Sequence, residues 1–281
     1  MSISYQQHQG FFQLAECNAN FLDREAATLF DELREGRLQA VLVHDVYPRK
    51  LLPDLVEGLE THQPSFLKTR FPDAFNGWFY GRNLNLCEPQ LEQYFDDARQ
   101  FERDLELFLP GALNPAVRIA DILARMDGGR PFRAPPGPDL GQRYMFTSLR
   151  GHAEGGYIPA HCDNEFVLRP SYQHLTSVCD PHIMSFVLGF NDCDGGGATE
   201  IYNYIQPPLG KALMSDDQRS IKPDVDTLAS VKIRVPSGSM LVFDSGRYLH
   251  RLEPVAGSTT RWTACSFMAL NNDKSATYVW G

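Results

Sequence analysis

Apolar residues follow two different periods along this chain, and the period changes near residue 141. Ahead of that point they recur at helical spacing. Ala27, Phe30 and Leu33 lie three apart between Asp23, a good N-cap, and Gly36, a stop, and predict a helix over Arg24–Glu35. Leu38–Val46 is a β-branched run and predicts a strand. From Pro48 to Thr61 the apolar residues Leu52, Leu55, Val56 and Leu59 share one helix face. The longest stripe is Leu91, Tyr94, Phe95, Ala98, Phe101, Leu105 and Phe108, opened by Glu88-Pro89 and stopped by Pro110-Gly111. It predicts a helix whose apolar side packs on a sheet. Asn114-Pro115 starts a further helix to Met126, closed by Asp127-Gly128-Gly129.

Residues 128–141 hold four Pro and four Gly and predict a linker or ordered loop. Beyond them the period is two. Candidate strands are Gln142–Arg150, Tyr157–His161, Ile183–Phe190, Thr199–Tyr204, Val231–Val235, Ser239–Phe243, Arg247–Leu252 and Arg261–Leu270. Helices first and short strands afterwards predict an α+β, mainly β fold, a β domain buttressed by N-terminal helices. The expected organisation is a single domain over residues 1–281. Residues 1–141 would be mainly helical buttress and linker, and 142–281 the β core, interrupted by a polar insertion at 206–230. An insertion of that length suits either a lid or a plain surface connection.

Bulk numbers narrow the function classes. With 281 residues, 43% of them hydrophobic, the chain can bury a large core. A net charge of −9 argues against nucleic-acid binding, which needs a basic face. No apolar run reaches membrane-spanning length, and the first residues lack the pattern of a signal peptide. The six Cys are scattered without a Cys-x-x-Cys, as in reduced cytoplasmic thiols. The expected partner is a small molecule, with no nucleic acid or membrane, and the oligomeric state is left open.

The candidate chemistry begins at His161-Cys162-Asp163. Residues two apart on a strand face the same way, so His161 and Asp163 can offer an imidazole and a carboxylate to one ion. A third ligand must come from a distant strand, and His250 is the best placed, with Ser237–Asp244 ahead of it reading as turn and apolar strand. Two His and one carboxylate leave open positions on a metal, the arrangement of non-haem Fe(II) oxygenases. Arg261 follows eleven residues after His250, with Thr263 two further on, and an Arg beside a hydroxyl can grip a carboxylate. His152, His174 and His182 are alternative histidines, and His152, in the Gly-rich stretch Gly151–Gly156, is also a candidate to touch substrate. Arg82, in Trp78-Phe79-Tyr80-Gly81-Arg82-Asn83, is a candidate clamp for a substrate carboxylate. Arg143, Tyr144 and Arg150 are further candidates whose strand parity the sequence leaves undecided. Asp194-Gly195-Gly196-Gly197 hints at a calcium loop, but counting twelve from Asp192 reaches Asn203, not Glu, so a tight Gly turn is the better reading. Phe146, Phe166, Phe186 and Trp262 are expected in the core.

His161, Asp163, His250, Arg261 and Thr263 resemble the pattern of the Fe(II)/2-oxoglutarate-dependent oxygenases. That resemblance implies a double-stranded β-helix (jelly-roll, cupin-like) over about 142–270. It also implies Fe(II) on His161, Asp163 and His250, 2-oxoglutarate on the iron with its far carboxylate at Arg261 and Thr263, and O2 as the oxidant. Val46-Tyr47-Pro48-Arg49, Gly81-Arg82 ahead of Leu91-Glu92-Gln93-Tyr94-Phe95, Gly246-Arg247-Tyr248 and Tyr278-Val279-Trp280-Gly281 resemble one subgroup. It contains the freestanding alkaloid halogenases of the welwitindolinone type and the hydroxylases of N-substituted amino acids. The halogenases carry Gly where this chain has Asp163, which opens a position for chloride. The resemblance therefore implies hydroxylation of a small molecule of secondary metabolism. The alternatives are a desaturase or halogenase variant, or a metal-binding cupin-like module without oxygenase activity.

Overall fold

The computed structural model describes residues 3–22, 24–86, 91–164, 169–206 and 223–281. A large mixed sheet forms its centre. Its strands run in the order Ser4–His8, Phe12–Asn18, Ala40–His44, Met240–Phe243, Met184–Gly189, Arg261–Leu270, Ser148–His152, Gly77–Tyr80 and Lys68–Arg70. Thr277–Trp280 pairs with the far end of Arg261–Leu270 and, in parallel, with Phe132–Arg133. A second sheet has four strands in the order Ser230–Ile233, Thr199–Ile205, Tyr248–Leu252 and Ile158–His161.

Side chains of the central strands are buried on both faces, and parity decides which core each one joins. In Met240–Phe243, Met240 and Val242 join the helices in one core, while Leu241 and Phe243 join Ile201, Val231, Ile233 and Tyr248 of the second sheet in another. Ala40–His44 divides the same way, Val41 and Val43 to the helices and Ala40 and Leu42 to the second sheet. Strands covered on both faces read as continuous apolar runs, because neither face meets water.

The helices cover the outer face of the large sheet. Tyr94, Phe95, Ala98, Phe101 and Leu105 of the Leu91–Phe108 helix are buried there, on the stripe its spacing sets out. Phe95, Phe101 and Leu105 each contribute on the order of 1.5–3 kcal/mol by leaving water. The Pro115–Met126 helix starts where Asn114 accepts a hydrogen bond from the Ala116 amide at 2.9 Å, with Pro115 in the first turn. No helix among the described residues is long and apolar enough to cross a membrane.

The structure differs from the sequence expectation in three places. The first half is not mainly helical: among the described residues six strands ahead of residue 141 join the large sheet. Ser4–His8 is a polar edge, and Phe12–Asn18 is apolar on both faces, so neither shows clean alternation. The strand expected over Gln142–Arg150 is Ser148–His152. Tyr144, Met145 and Phe146 ahead of it are apolar because they pack in the core, with Tyr144 5.0 Å from Phe95, ring centre to ring centre. The helix expected from Arg24 is a 3-10 turn over Glu25–Thr28 followed by Leu29–Arg34. Asp23, Glu88-Pro89, Phe166 and most of the 206–230 insertion lie outside the described residues.

Candidate metal and carboxylate site

His161 ends the Ile158–His161 strand and His250 lies within Tyr248–Leu252. The two strands pair antiparallel with His161 opposite His250, so backbone register sets the rings side by side, 4.3 Å between centres. Asp163 lies just past its strand rather than on it. Its amide donates to the Ser245 carbonyl at 2.9 Å, which brings the turn after Met240–Phe243 against it. Gly246 sits in that turn, where a Cβ would come within 2.1 Å of Asn164 Oδ1 and 2.4 Å of the Ile183 carbonyl, so only glycine fits.

Ligand atoms of His161, Asp163 and His250 all lie within 4.8 Å of one another. His161 Nδ1 is 2.7 Å from the Pro159 carbonyl and His250 Nδ1 is 3.0 Å from the Tyr248 carbonyl. A carbonyl only accepts, so each Nδ1 carries a proton, and in the neutral form of each ring the lone pair is on Nε2. Both Nε2 atoms turn toward Asp163 Oδ1, at 3.3 Å and 3.9 Å. Oδ1 is buried and accepts no hydrogen bond among the described residues. Three converging acceptors repel one another unless a cation lies between them, and this donor set suits a divalent transition metal. Burial works to raise the Asp163 carboxyl, but the imidazoles of His161 and His250, in the protonated form that donates from Nε2 and carries positive charge, and the Ser185 hydroxyl outweigh it and hold it at about 2.

The other carboxylate oxygen is held by residues that sequence reasoning missed. Ser185 Oγ donates to Asp163 Oδ2 at 2.5 Å, and Ser245 Oγ donates to Ser185 Oγ at 2.7 Å. Ser185 reads as a serine inside an apolar run and Ser245 as a turn residue, and neither reading says what the hydroxyl meets.

Arg261 and Thr263 share a face of their strand and are both buried. Val187 and Ser185, on the neighbouring strand, lie on that same face: Gly189 is opposite Thr263, Val187 opposite Cys265 and Ser185 opposite Phe267. Ser185 reaches Asp163, so the face is the one turned toward the metal-ligand cluster. Arg261 has no carboxylate partner among the described residues. Burial holds its guanidinium below the ordinary arginine range. A buried cation without a counter-ion is costly, and a fold that keeps one is built for an anion.

His152 is at the end of a strand rather than in a loop, opposite both Arg261 and Gly77. It is fully buried, and neither ring nitrogen has a hydrogen-bond partner among the described residues. Burial first, then the charges of Arg261 and Arg150, hold it neutral, well below the usual histidine range. Arg82 is paired with an acid. Its Nε donates to Asp97 Oδ2 at 2.7 Å, a pair that satisfies the guanidinium from the Leu91–Phe108 helix. His174 is bound to the Tyr144 hydroxyl at 3.1 Å and His182 to Asp244 at 2.7 Å, so neither joins the cluster. Asp194 accepts from the amide and hydroxyl of Thr259, and Gly195–Gly196 pairs with Val255–Ala256, a tight glycine turn.

Two sheets enclosing a two-histidine, one-carboxylate cluster, with a buried unpaired arginine on the facing strand, define the class of Fe(II)/2-oxoglutarate oxygenases. A family model described as carrier-protein-independent halogenase WelO5 matches residues 11–281, and the chain belongs to that family. It is an oxidoreductase of that class, with iron and 2-oxoglutarate as its cofactor and co-substrate. No curated protein sequence matches the chain. Among solved structures it is similar to an N-substituted L-amino acid dioxygenase from Burkholderia ambifaria AMMD, at 13% identity and a TM-score of 0.57, covering 91% of each chain. That dioxygenase in complex with α-ketoglutarate gives 14% identity at the same TM-score and coverage. The α-ketoglutarate-dependent carbocyclase SnoK from nogalamycin biosynthesis gives 12% identity and a TM-score of 0.51, over 89% of this chain and 87% of that one. At such identities these likenesses speak for the fold.

Proposed function

We propose that this chain, as one oxygenase domain over residues 1–281, hydroxylates an unactivated C–H bond of a small molecule such as an amino-acid derivative or natural-product intermediate. His161, Asp163 and His250 would hold Fe(II), and Arg261 with Thr263 would hold the far carboxylate of 2-oxoglutarate. The observation that carries this reading is Asp163 Oδ1, a buried acceptor without a hydrogen bond that faces two imidazole Nε2 atoms. Iron with 2-oxoglutarate and O2 supplies an oxidant able to take hydrogen from such a bond, with release of succinate and CO2. The chain's own contribution is geometry. The carbonyls of Pro159 and Tyr248 fix both imidazole tautomers, and Ser185 fixes the carboxylate plane. The two sheets joined through one apolar core support a double-stranded β-helix, and five free cysteines among the described residues fit a reducing, cytoplasmic setting.

Hydroxylation is favoured over halogenation, although the family takes its name from a halogenase. Asp163 supplies a negative charge and fills a position that a halide would need. With Fe(II), 2-oxoglutarate, O2 and abundant chloride, a substrate turned over by the wild-type protein should gain oxygen and no chlorine, read by product mass. Chlorinated product from the wild type would overturn the hydroxylase reading.

A further inference from the structure

We propose that Arg150 anchors the substrate, and that the substrate is an organic acid with an apolar body. The inference rests on the reading of Arg261 as the 2-oxoglutarate clamp. Its starting point is strand parity, which the structure fixes. Arg150 lies opposite Thr263, and His152 opposite Arg261, so Arg150 is on the face that carries the Arg261 side chain. On its other side Arg150 lies opposite Phe79, and its guanidinium carbon is 5.2 Å from the centre of that ring.

Arg150 is half-buried. Its Nε donates to Ser148 Oγ at 3.3 Å, and it has no carboxylate partner among the described residues. Arg150 and Arg261 therefore stand diagonally across one strand pair, roughly 7–8 Å apart at the backbone, and neither has a carboxylate partner among the described residues. Between them lies His152, buried, neutral and without a hydrogen-bond partner. A face with two guanidiniums and no counter-charge is suited to two anions. One 2-oxoglutarate offers a single carboxylate for Arg261, since its other end belongs to the metal. Arg150 is left for a second acid, and the planar guanidinium fork suits a carboxylate. Phe71 packs 3.9 Å from Phe79 and 5.4 Å from His152, centre to centre, so an aromatic shelf adjoins the cation. That juxtaposition fits a carboxylate attached to an aryl or alkyl body, with the cation stacked on Phe79 holding its acid end.

The test uses the protein loaded with Fe(II) and 2-oxoglutarate without oxygen. Matched acids and their primary amides are titrated by calorimetry: 3-indolepropionate, 4-phenylbutyrate and octanoate, each against its amide. Wild type should bind at least one acid about tenfold or more tightly than its amide. Arg150→Gln should bring that ratio close to one, Arg150→Lys should keep part of it, and 2-oxoglutarate affinity should change less than about threefold in both. No acid preference in the wild type, or a preference that survives in Arg150→Gln, overturns the proposal. A tenfold loss of 2-oxoglutarate affinity in Arg150→Gln overturns it too, by assigning Arg150 to the co-substrate. If Arg261→Gln leaves 2-oxoglutarate binding intact, it is the clamp reading that fails, and the acid-to-amide ratio still reports on Arg150.

Discussion

Ser185 Oγ lies 2.5 Å from Asp163 Oδ2, in a buried contact that joins a strand of the large sheet to the loop after the Ile158–His161 strand. The hydroxyl takes one lone pair of the carboxylate and leaves Oδ1 pointing at His161 and His250. Ser185 bonds the Asp163 carboxylate, so its effect on a metal runs through the orientation of that side chain.

Ser185→Ala should therefore weaken metal binding by roughly 10–100-fold while leaving the site able to bind. Titration with Fe(II) or Mn(II) without oxygen measures this. Ser245→Ala, one hydrogen bond further out, should have a smaller effect. Unchanged metal affinity in Ser185→Ala would mean that the carboxylate is held by other contacts.

Arg261→Gln should reduce 2-oxoglutarate affinity by 10-fold or more, since a charge-assisted hydrogen bond is worth about 1.5–3 kcal/mol. The same change relieves a buried cation that has no counter-ion. In the absence of 2-oxoglutarate the variant should melt no lower than the wild type, and 2-oxoglutarate should raise its melting temperature less than it raises that of the wild type. Thermal unfolding with and without 2-oxoglutarate checks both halves.

His152 gives a pH signature. In the folded chain it stays neutral well below pH 6.5, whereas in the unfolded chain it takes a proton near that pH. The unfolded state then binds more protons as pH falls through about 6.5, so folded stability is lost on the acid side and is fully present above it. Between about pH 7.5 and 5.5 this one group lowers folded stability. His152→Leu should remove that share of the pH dependence, measured as the change in unfolding free energy between the two pH values. An identical slope in wild type and variant would show that His152 titrates normally.

Asp163→Gly removes a proposed ligand and its charge. Hydroxylation should fall by more than about 100-fold, because the loss of a direct ligand exceeds the effect of losing its hydrogen-bond partner. The vacated position suits an anion of similar charge, so chlorinated product is expected when chloride is abundant, read by mass. Wild-type hydroxylation in Asp163→Gly would exclude the carboxylate as a ligand.

Much of this site was legible in the sequence because its key residues come in short spacings. His161 and Asp163 are two apart, as are Arg261 and Thr263, and only His250 had to be chosen from a distance. What could not be read depends on register between distant strands. The Ser185 hydroxyl has meaning only once the chain brings Asp163 to it, from 22 residues earlier. The partner of Arg82 was hidden for a related reason, since Asp97 lies on a helix 15 residues on, and an arginine among aromatics looks the same whether or not an acid reaches it. Arg150 stayed undecided because the strand begins at Ser148, and parity could not be counted through residues 142–147, which lie outside that strand and bridge to Pro136 through Arg143. The N-terminal strands hid behind the same physics: Phe12–Asn18 buries both faces, so the period-two signal is lost.

The most direct measurement is an oxygen-free titration of the protein with Fe(II) and then 2-oxoglutarate, following the metal-to-ligand charge-transfer absorbance. The wild type should develop the band at one iron and one 2-oxoglutarate per chain. His161→Ala and His250→Ala should not develop it, although both should stay folded by circular dichroism. A band of full intensity in either histidine variant, or none in the wild type, would contradict the assignment of His161, Asp163 and His250 as the iron site.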